Sequence, residues 1–289
     1  MKIHSGILLL IMLSLCTGLY PLDWPSQTAL MKMNFGWNDS GMPHLGNSFE
    51  IDGAVTAADN GELLYRSGED DTASRLPSPL GSWIALDHGD GIISIYGRFE
   101  DKDPKPVPEK VEKGDIFSES GISGWSSQKG FYFQLFDRKE RRWINPSMII
   151  TVPDDTRPPM ISSVKLDDTQ GNSFDPSQVK NLSQGRYSVV VEATDTIRGA
   201  NETALAPFKI ICTLNGSEAG TLNFDTYSAR DGSLMVYRNG LVPVRQVYAP
   251  APAYEVADVW LSRGQNTLEI IAQDIAGNTR SVVYRLQVE

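Results

Sequence analysis

Short apolar runs separated by clusters of glycine and aspartate constrain the fold of this chain more than any other feature. The run 82–86 (SWIAL) precedes a Gly/Asp turn at 87–91 (DHGDG), and a second run, 92–96 (IISIY), follows it. A second pair of runs, 130–136 and 141–144, flanks a charged turn. Two β-rich runs about such a turn predict a β-hairpin. Since no long amphipathic helical pattern interrupts these runs, the sequence predicts an all-β protein.

The length and one proline-rich segment predict two domains. The 289 residues exceed one small module, and residues 151–159 (TVPDDTRPP) contain three prolines that no central strand or helix would accommodate. We therefore expect a first domain at 19–152 and a second at 156–289. In the second, residues 187–195 and 266–274 share one strand pattern, which indicates an antiparallel sandwich. The net charge of −10 argues against nucleic acid as a partner.

The N-terminus is typical of an exported protein. Lys2 precedes an apolar run, 7–15, and small residues follow up to Gly18. This pattern predicts a signal peptide at 1–18, with no transmembrane segment in the mature chain and a location in the periplasm or cell envelope of a bacterium. A lipid anchor at Cys16 is an alternative. Cys212, in an apolar run, is predicted to be buried.

Residues 29–148 resemble the lysostaphin/LytM-type zinc endopeptidases, which cut peptide cross-links in bacterial cell walls. The resemblance lies in ordered segments rather than in one motif. Its segments are 49–52 (FEID), 54–61 (AVTAADNG), 84–91 (IALDHGDG), 96–99 (YGRF), 113–116 (KGDI), 130–134 (GFYFQ) and 142–146 (RWINP). The resemblance implies a twisted antiparallel β-sheet domain of LytM type.

The resemblance also implies which positions would carry the chemistry. The family's three zinc ligands correspond to Ser48, Asp52 and Tyr132, and its two assisting histidines to Gly130 and Arg98. Only Asp52 keeps the family's residue type, whereas a catalytic zinc needs three protein ligands. The sequence therefore predicts an inactive homologue that holds no metal and no cofactor.

Two questions about this site stay open in the sequence. His44 lies eight residues before Asp52 and would reach the site only if the loop 45–49 bent back. Arg98 is hypothesised to pair with Asp52 or Glu50 in place of the lost metal charge, because an unpaired carboxylate in a groove is costly. The alternative is a solvated Arg98.

Residues 156–289 resemble bacterial Ig-like modules, which implies an Ig-like β-sandwich. The matching segments are 155–161 (DTRPPMI), 261–268 (LSRGQNTL) and 272–278 (AQDIAGN). Residues 226–256 are predicted to form an inserted hairpin or a long loop. The aromatic residues in and beside them (Tyr237, Tyr248, Tyr254 and Trp260) form either a contact surface or ordinary loop packing. Asp195 and Asp274 suggest calcium, but without a run of carboxylates at ligand spacing a structural role is favoured.

These expectations lead to a non-catalytic cell-envelope protein. The former active-site groove, lined by Ser48, Asp52, Arg98, Gly130 and Tyr132, is expected to bind a peptidoglycan peptide, or to regulate a cell-wall hydrolase or another envelope protein. Three alternatives remain: a purely structural protein whose groove is filled by its own side chains, an adhesive protein acting through the Ig-like half, and an atypical zinc metalloendopeptidase.

Overall fold

The computed structural model describes residues 22–68, 78–100, 106–152, 154–196 and 203–289. Apart from two short 3-10 helices, all regular secondary structure in these residues is β-strand, which confirms the predicted all-β class. The described part of the chain contains no helix whose length and apolar character would suit a bilayer span. The predicted signal peptide and Cys16 lie outside the described residues.

We refer to residues 22–152 as the first half and to residues 154–289 as the second half. The strands of the first half are β1 (Leu30–Met33), β2 (Asn38–Asp39), β3 (Met42–Pro43), β4 (Asn47–Glu50), β5 (Ala54–Thr56), β6 (Gly61–Ser67), β7 (Trp83–Asp87), β8 (Ile92–Gly97), β9 (Lys110–Val111), β10 (Ile116–Glu119), β11 (Gly130–Asp137) and β12 (Arg142–Ile144). A 3-10 helix (Pro146–Met148) follows them.

The second half contains longer strands. They are β13 (Met160–Asp168), β14 (Ser173–Phe174), β15 (Asn181–Leu182), β16 (Gly185–Thr194), β17 (Lys209–Leu214), β18 (Ser217–Arg230), β19 (Ser233–Arg238), β20 (Leu241–Pro243), β21 (Ala253–Leu261), β22 (Gly264–Gln273) and β23 (Thr279–Val288). A second 3-10 helix (Val244–Gln246) lies between β20 and β21.

Strand β11 is the centre of the first half. Both predicted hairpins are confirmed, because β7 pairs antiparallel with β8 and β11 pairs antiparallel with β12. Strand β11 also pairs with β8 and β4, so it has neighbours along both edges. Its residues are almost all buried, which explains why its sequence is a continuous apolar run rather than an alternating one. It packs into one buried cluster with β7 and β8, through residues such as Leu86 and Tyr96.

The second half is a two-layer sandwich. A four-stranded sheet of order β14-β13-β16-β21 faces strands β23, β22, β17 and β18 of the large sheet. Both predicted strands are confirmed as β16 and β22, and in each of them buried residues alternate with more exposed ones. Their buried side chains, such as Val189 and Ile270, meet in one cluster that also holds Cys212. Cys212 is thus buried, as its apolar run predicted.

The two halves are continuous with each other. Strand β12 pairs with β18 of the second half, with Trp143 opposite Tyr227, so one sheet runs through both halves. Phe35 lies in the buried cluster of the second half, and Leu205 lies in that of the first half. The predicted boundary between 152 and 156 stays a prediction, but the sheet and both clusters cross from one half to the other.

The aromatic residues of segment 226–256 divide between two roles. Tyr248 and Tyr254 are buried, and both of their hydroxyls donate to the carbonyl of Gly36 in the first half. For these two tyrosines, the predicted loop packing is therefore confirmed, and the predicted role in an exposed contact surface is wrong. Tyr237 and Trp260 are exposed.

Candidate functional site

Three adjacent strands carry the positions at which the resemblance places the chemistry. Ser48 on β4 stands directly opposite Tyr132 on β11, and Tyr132 stands opposite Gly97, the last residue of β8. Arg98 follows β8 immediately, so the register brings its side chain to the same place. Because directly opposed residues share one face of a sheet, Ser48 and Tyr132 lie side by side.

A short chain of hydrogen bonds connects Arg98, Ser48 and His44. Arg98 Nη1 donates to Ser48 Oγ over 3.0 Å, and His44 Nε2 lies 2.9 Å from the same hydroxyl oxygen. Ser48 and His44 are buried, whereas Arg98 is partly exposed. Burial lowers the pKa of His44 to about 3, and the positive charge of Arg98 lowers it in the same direction. His44 is therefore a neutral imidazole at physiological pH.

Tyr132 forms the apolar side of this cluster. Its ring meets the His44 ring edge to face at 5.3 Å between centroids, and Arg98 Cζ lies 5.5 Å from the Tyr132 ring centroid. Its hydroxyl donates to Gln134 Oε1 over 3.1 Å. Burial raises the pKa of Tyr132 above its usual range. A protonated tyrosine under a guanidinium gives packing and a cation–π contact rather than acid–base chemistry.

Gly130 stands where the resemblance would place a histidine, and the backbone leaves no room for one. A Cβ atom at Gly130 would lie 1.9 Å from the carbonyl oxygen of Phe49 on β4. Carbon and oxygen atoms cannot approach so closely, so β4 would have to move to admit any side chain. Because Gly130 has no side chain, β4 and β11 can pack this closely.

Asp52 lies outside this cluster, and the hypothesised ion pair of Arg98 with Asp52 or Glu50 is wrong. Asp52 is an exposed residue that pairs with Lys129, and Glu50 pairs with Lys32. Burial lowers the pKa of Arg98, and the negative charge of Asp39 opposes this shift. Asp52 lies past the end of β4, where its side chain turns to solvent instead of into the sheet face.

His44 reaches Ser48 of this cluster, and the chain bends at Gly46, just before β4 begins at Asn47. Gly46 makes this bend possible, because a Cβ there would lie 2.4 Å from the Phe133 carbonyl oxygen. Nothing in the local sequence fixes this geometry, and the spacing of His44 and Ser48 by four residues is the one signal in the sequence for their contact.

The donor set of this cluster does not fit zinc. It combines one imidazole, one serine hydroxyl and one buried tyrosine with a permanent positive charge, whereas a zinc site needs three ligands from His, Cys or carboxylate. Asp52, the one residue of the family's type, is held by Lys129. These residues therefore give no set of ligands that would hold a catalytic zinc ion.

Two loops form an exposed rim beside Arg98. The Arg98 N–H donates to the Leu80 carbonyl, and the Trp125 N–H donates to the carbonyl of Pro79 next to it. In the loop between β10 and β11, Ile122 is 63 % exposed and Trp125 is 73 % exposed. Together, Arg98, Ile122 and Trp125 make what we call the rim.

Comparison with known proteins gives weak similarity to solved structures, several of which are peptidases. A family model without a functional description matches residues 158–289. No curated protein matches the chain. The catalytic domain of the prophage-encoded M23 protein EnpA from Enterococcus faecalis is 18 % identical, over 44 % of this chain and 95 % of that one, with a TM-score of 0.35.

Two further solved structures are similar at the same level. The catalytic domain of the antimicrobial peptidase lysostaphin from Staphylococcus simulans is 23 % identical, over 36 % of this chain and 77 % of that one, with a TM-score of 0.31. A chain of the SpoIIQ–SpoIIIAH pore-forming complex is 16 % identical, over 46 % of this chain and 92 % of that one, with a TM-score of 0.36.

Proposed function

We propose that this chain is a non-catalytic protein of a bacterial cell envelope that binds a peptidoglycan peptide at the rim. The observation that carries this proposal is the partly exposed Arg98, which stands where the resemblance places a histidine that assists the attacking water. Its Nη1 donates to Ser48 Oγ, the one hydrogen bond of the guanidinium among the described residues. Arg98 Nε is buried, so the donors that remain for carboxylate and carbonyl acceptors of a peptide are the other N–H groups of the two Nη atoms.

Exposed apolar groups beside this donor support binding. Ile122 and Trp125 are large apolar side chains that solvent reaches, and tryptophan and arginine are the residues most enriched at binding hot spots. Residues Ser48, Gly130 and Tyr132 of the predicted groove are buried, so they support the rim from below instead of contacting a ligand. Docking of a cell-wall hydrolase to the same rim is the second form of this proposal.

One observation favours the purely structural alternative. His44, Ser48 and Tyr132 satisfy and cover one another, as expected of a groove filled by its own side chains. The two functions differ in what they require of Trp125, because a structural role does not need an exposed indole.

The test is titration of the mature protein with muropeptides, using wild type and Trp125→Ala. We expect saturable binding that weakens about tenfold or more in the variant, since tenfold corresponds to about 1.4 kcal/mol and central aromatic contacts exceed it. Trp260→Ala removes another exposed tryptophan, 59 % exposed and located in the second half, and serves as the matched control. Absence of binding to peptides, together with no activation of wall hydrolases, would support the structural reading. Stoichiometric zinc with wall hydrolysis would establish an enzyme.

A further inference from the structure

Three carboxylates from distant parts of the chain meet at one end of the second half. Asp155 lies in the segment that precedes β13, Asp195 follows β16, and Asp274 follows β22. One carboxylate oxygen of each lies within 4.8 Å of the others. Oxygens bound to one Ca²⁺ ion at 2.3–2.6 Å are at most about 5 Å apart, so this spacing fits a shared ion.

The cluster is buried and incompletely satisfied. Asp195 is 7 % exposed and Asp274 is 2 % exposed, and Asp195 Oδ1 has no hydrogen-bond partner among the described residues. A buried carboxylate oxygen without a partner is costly, and native proteins avoid it unless water or an ion completes the site. Burial raises the pKa of the Asp195 carboxyl to about 7, and the carboxylates of Asp274 and Asp155 raise it in the same direction.

Hydrogen bonds hold two of the three carboxylates in place. Asn278 donates from its backbone N–H to Asp274 Oδ1 over 2.8 Å and from Nδ2 to Asp274 Oδ2 over 2.7 Å. The same Nδ2 donates to the Asp155 carbonyl over 3.0 Å. The Asp155 side chain accepts from the Arg157 N–H. The turn after β22 is thereby connected to the segment between the halves.

No arginine or lysine neutralises the cluster within the described residues. The ion pairs found there include none with Asp155, Asp195 or Asp274. Arg157 is the nearby cation that acts on Asp195, and its side chain is exposed. Three carboxylates offer oxygen ligands alone, which select a hard cation over zinc or copper.

We propose that Asp155, Asp195 and Asp274 bind one Ca²⁺ ion, which connects the segment between the halves to the ends of β16 and β22. The partly exposed Asp155 leaves one side of the ion open to water, which would complete its 6–8 oxygen ligands. The two buried carboxylates come from opposite layers of the sandwich, so the ion would hold both layers and the segment together.

The test is calorimetric titration of the mature, chelator-treated protein with CaCl₂ and, separately, with MgCl₂. We expect one Ca²⁺ per chain with a Kd at or below ~1 mM, the upper end of the range of extracellular calcium modules. We expect a higher Tm in calcium that a chelator reverses. Asp195→Asn and Asp274→Asn are expected to weaken binding by about tenfold or more, because each removes one ligand charge.

A matched control separates ligand loss from turn damage. Asp168 accepts from Asn172 as Asp274 accepts from Asn278, but it stands outside the cluster, so Asp168→Asn should bind calcium like wild type. Without calcium, Asp195→Asn should be at least as stable as wild type, because the change removes a buried, repelled carboxylate. Lack of saturable calcium binding by wild type, or unchanged binding by Asp195→Asn, would overturn the proposal. Equal affinity for Mg²⁺ would overturn the assignment to calcium.

Discussion

At the residue scale, one arginine determines the electrostatics of the cluster around Ser48 and His44. Arg98 places a positive charge beside Ser48 and His44, but among the described residues it donates to a neutral hydroxyl and bonds no carboxylate. A guanidinium is always charged, so it repels a second positive charge at His44 under all physiological conditions. This repulsion and burial together keep the imidazole neutral.

The neutral state of His44 predicts acid sensitivity. In the unfolded chain a histidine has a pKa of about 6.5, whereas burial and Arg98 hold the pKa of His44 at about 3 in the fold. Between these values the unfolded state binds a proton that the folded state does not, so stability falls as pH falls below 6.5. From pH 7 to pH 5 wild type should lose about 2 kcal/mol more unfolding free energy than His44→Gln. Urea unfolding at both pH values measures this difference, and equal losses in the two proteins would contradict it.

At the scale of the elements, the close approach of β4 and β11 defines the site more than any side chain does. The Phe49 carbonyl occupies the space above Gly130, and Ser48 and Tyr132 come into contact because the two strands lie in this register. A glycine inside a strand often marks such a backbone approach.

The substitution Gly130→Ala tests this approach. The added methyl group would overlap the Phe49 carbonyl, so β4 must shift and the unfolding free energy should fall by about 3 kcal/mol. Gly185→Ala is the control, because Gly185 also lies in a strand but its Cβ would meet open space. The control should change stability by less than about 0.5 kcal/mol in urea unfolding. Equal, small effects at both glycines would contradict this, because they would show that β4 can shift away from β11 at little cost in stability.

Local patterns predicted the elements, and long-range contacts determined what the sequence did not reveal. The hairpin of β7 and β8 follows from two apolar runs around a Gly/Asp turn, and β16 follows from its alternation. The partner of Arg98 depends on the direction of Asp52 past the end of β4, and the arrival of His44 depends on a bend at Gly46. Neither contact can be predicted from residue spacing or composition, because both depend on where distant strands lie.

At the scale of the whole molecule, the two halves exchange parts of their cores. Segment 34–38 of the first half enters the second, where Phe35 is buried and Asn38 Nδ2 donates to the carbonyls of Ala249 and Ala253. In the opposite direction, Leu205 enters the core of the first half. The pairing of β12 with β18 completes the connection. Each half therefore completes its buried cluster with a residue from the other.

This exchange predicts that the protein unfolds in one transition, although a chain of this length usually unfolds in more than one. Calorimetry of the protein should give equal calorimetric and van't Hoff enthalpies, and tryptophan fluorescence and hydrogen exchange from both halves should report one midpoint. Asn38→Ala should lower that midpoint for both halves together and cost about 2 kcal/mol, because it leaves the carbonyls of Ala249 and Ala253 without a donor. Asn172→Ala is the control, because among the described residues the Asn172 side chain bonds within its own exposed turn alone. Two separate midpoints, with Asn38→Ala lowering only one of them, would mean that the halves are independent and that their shared sheet contributes little to stability.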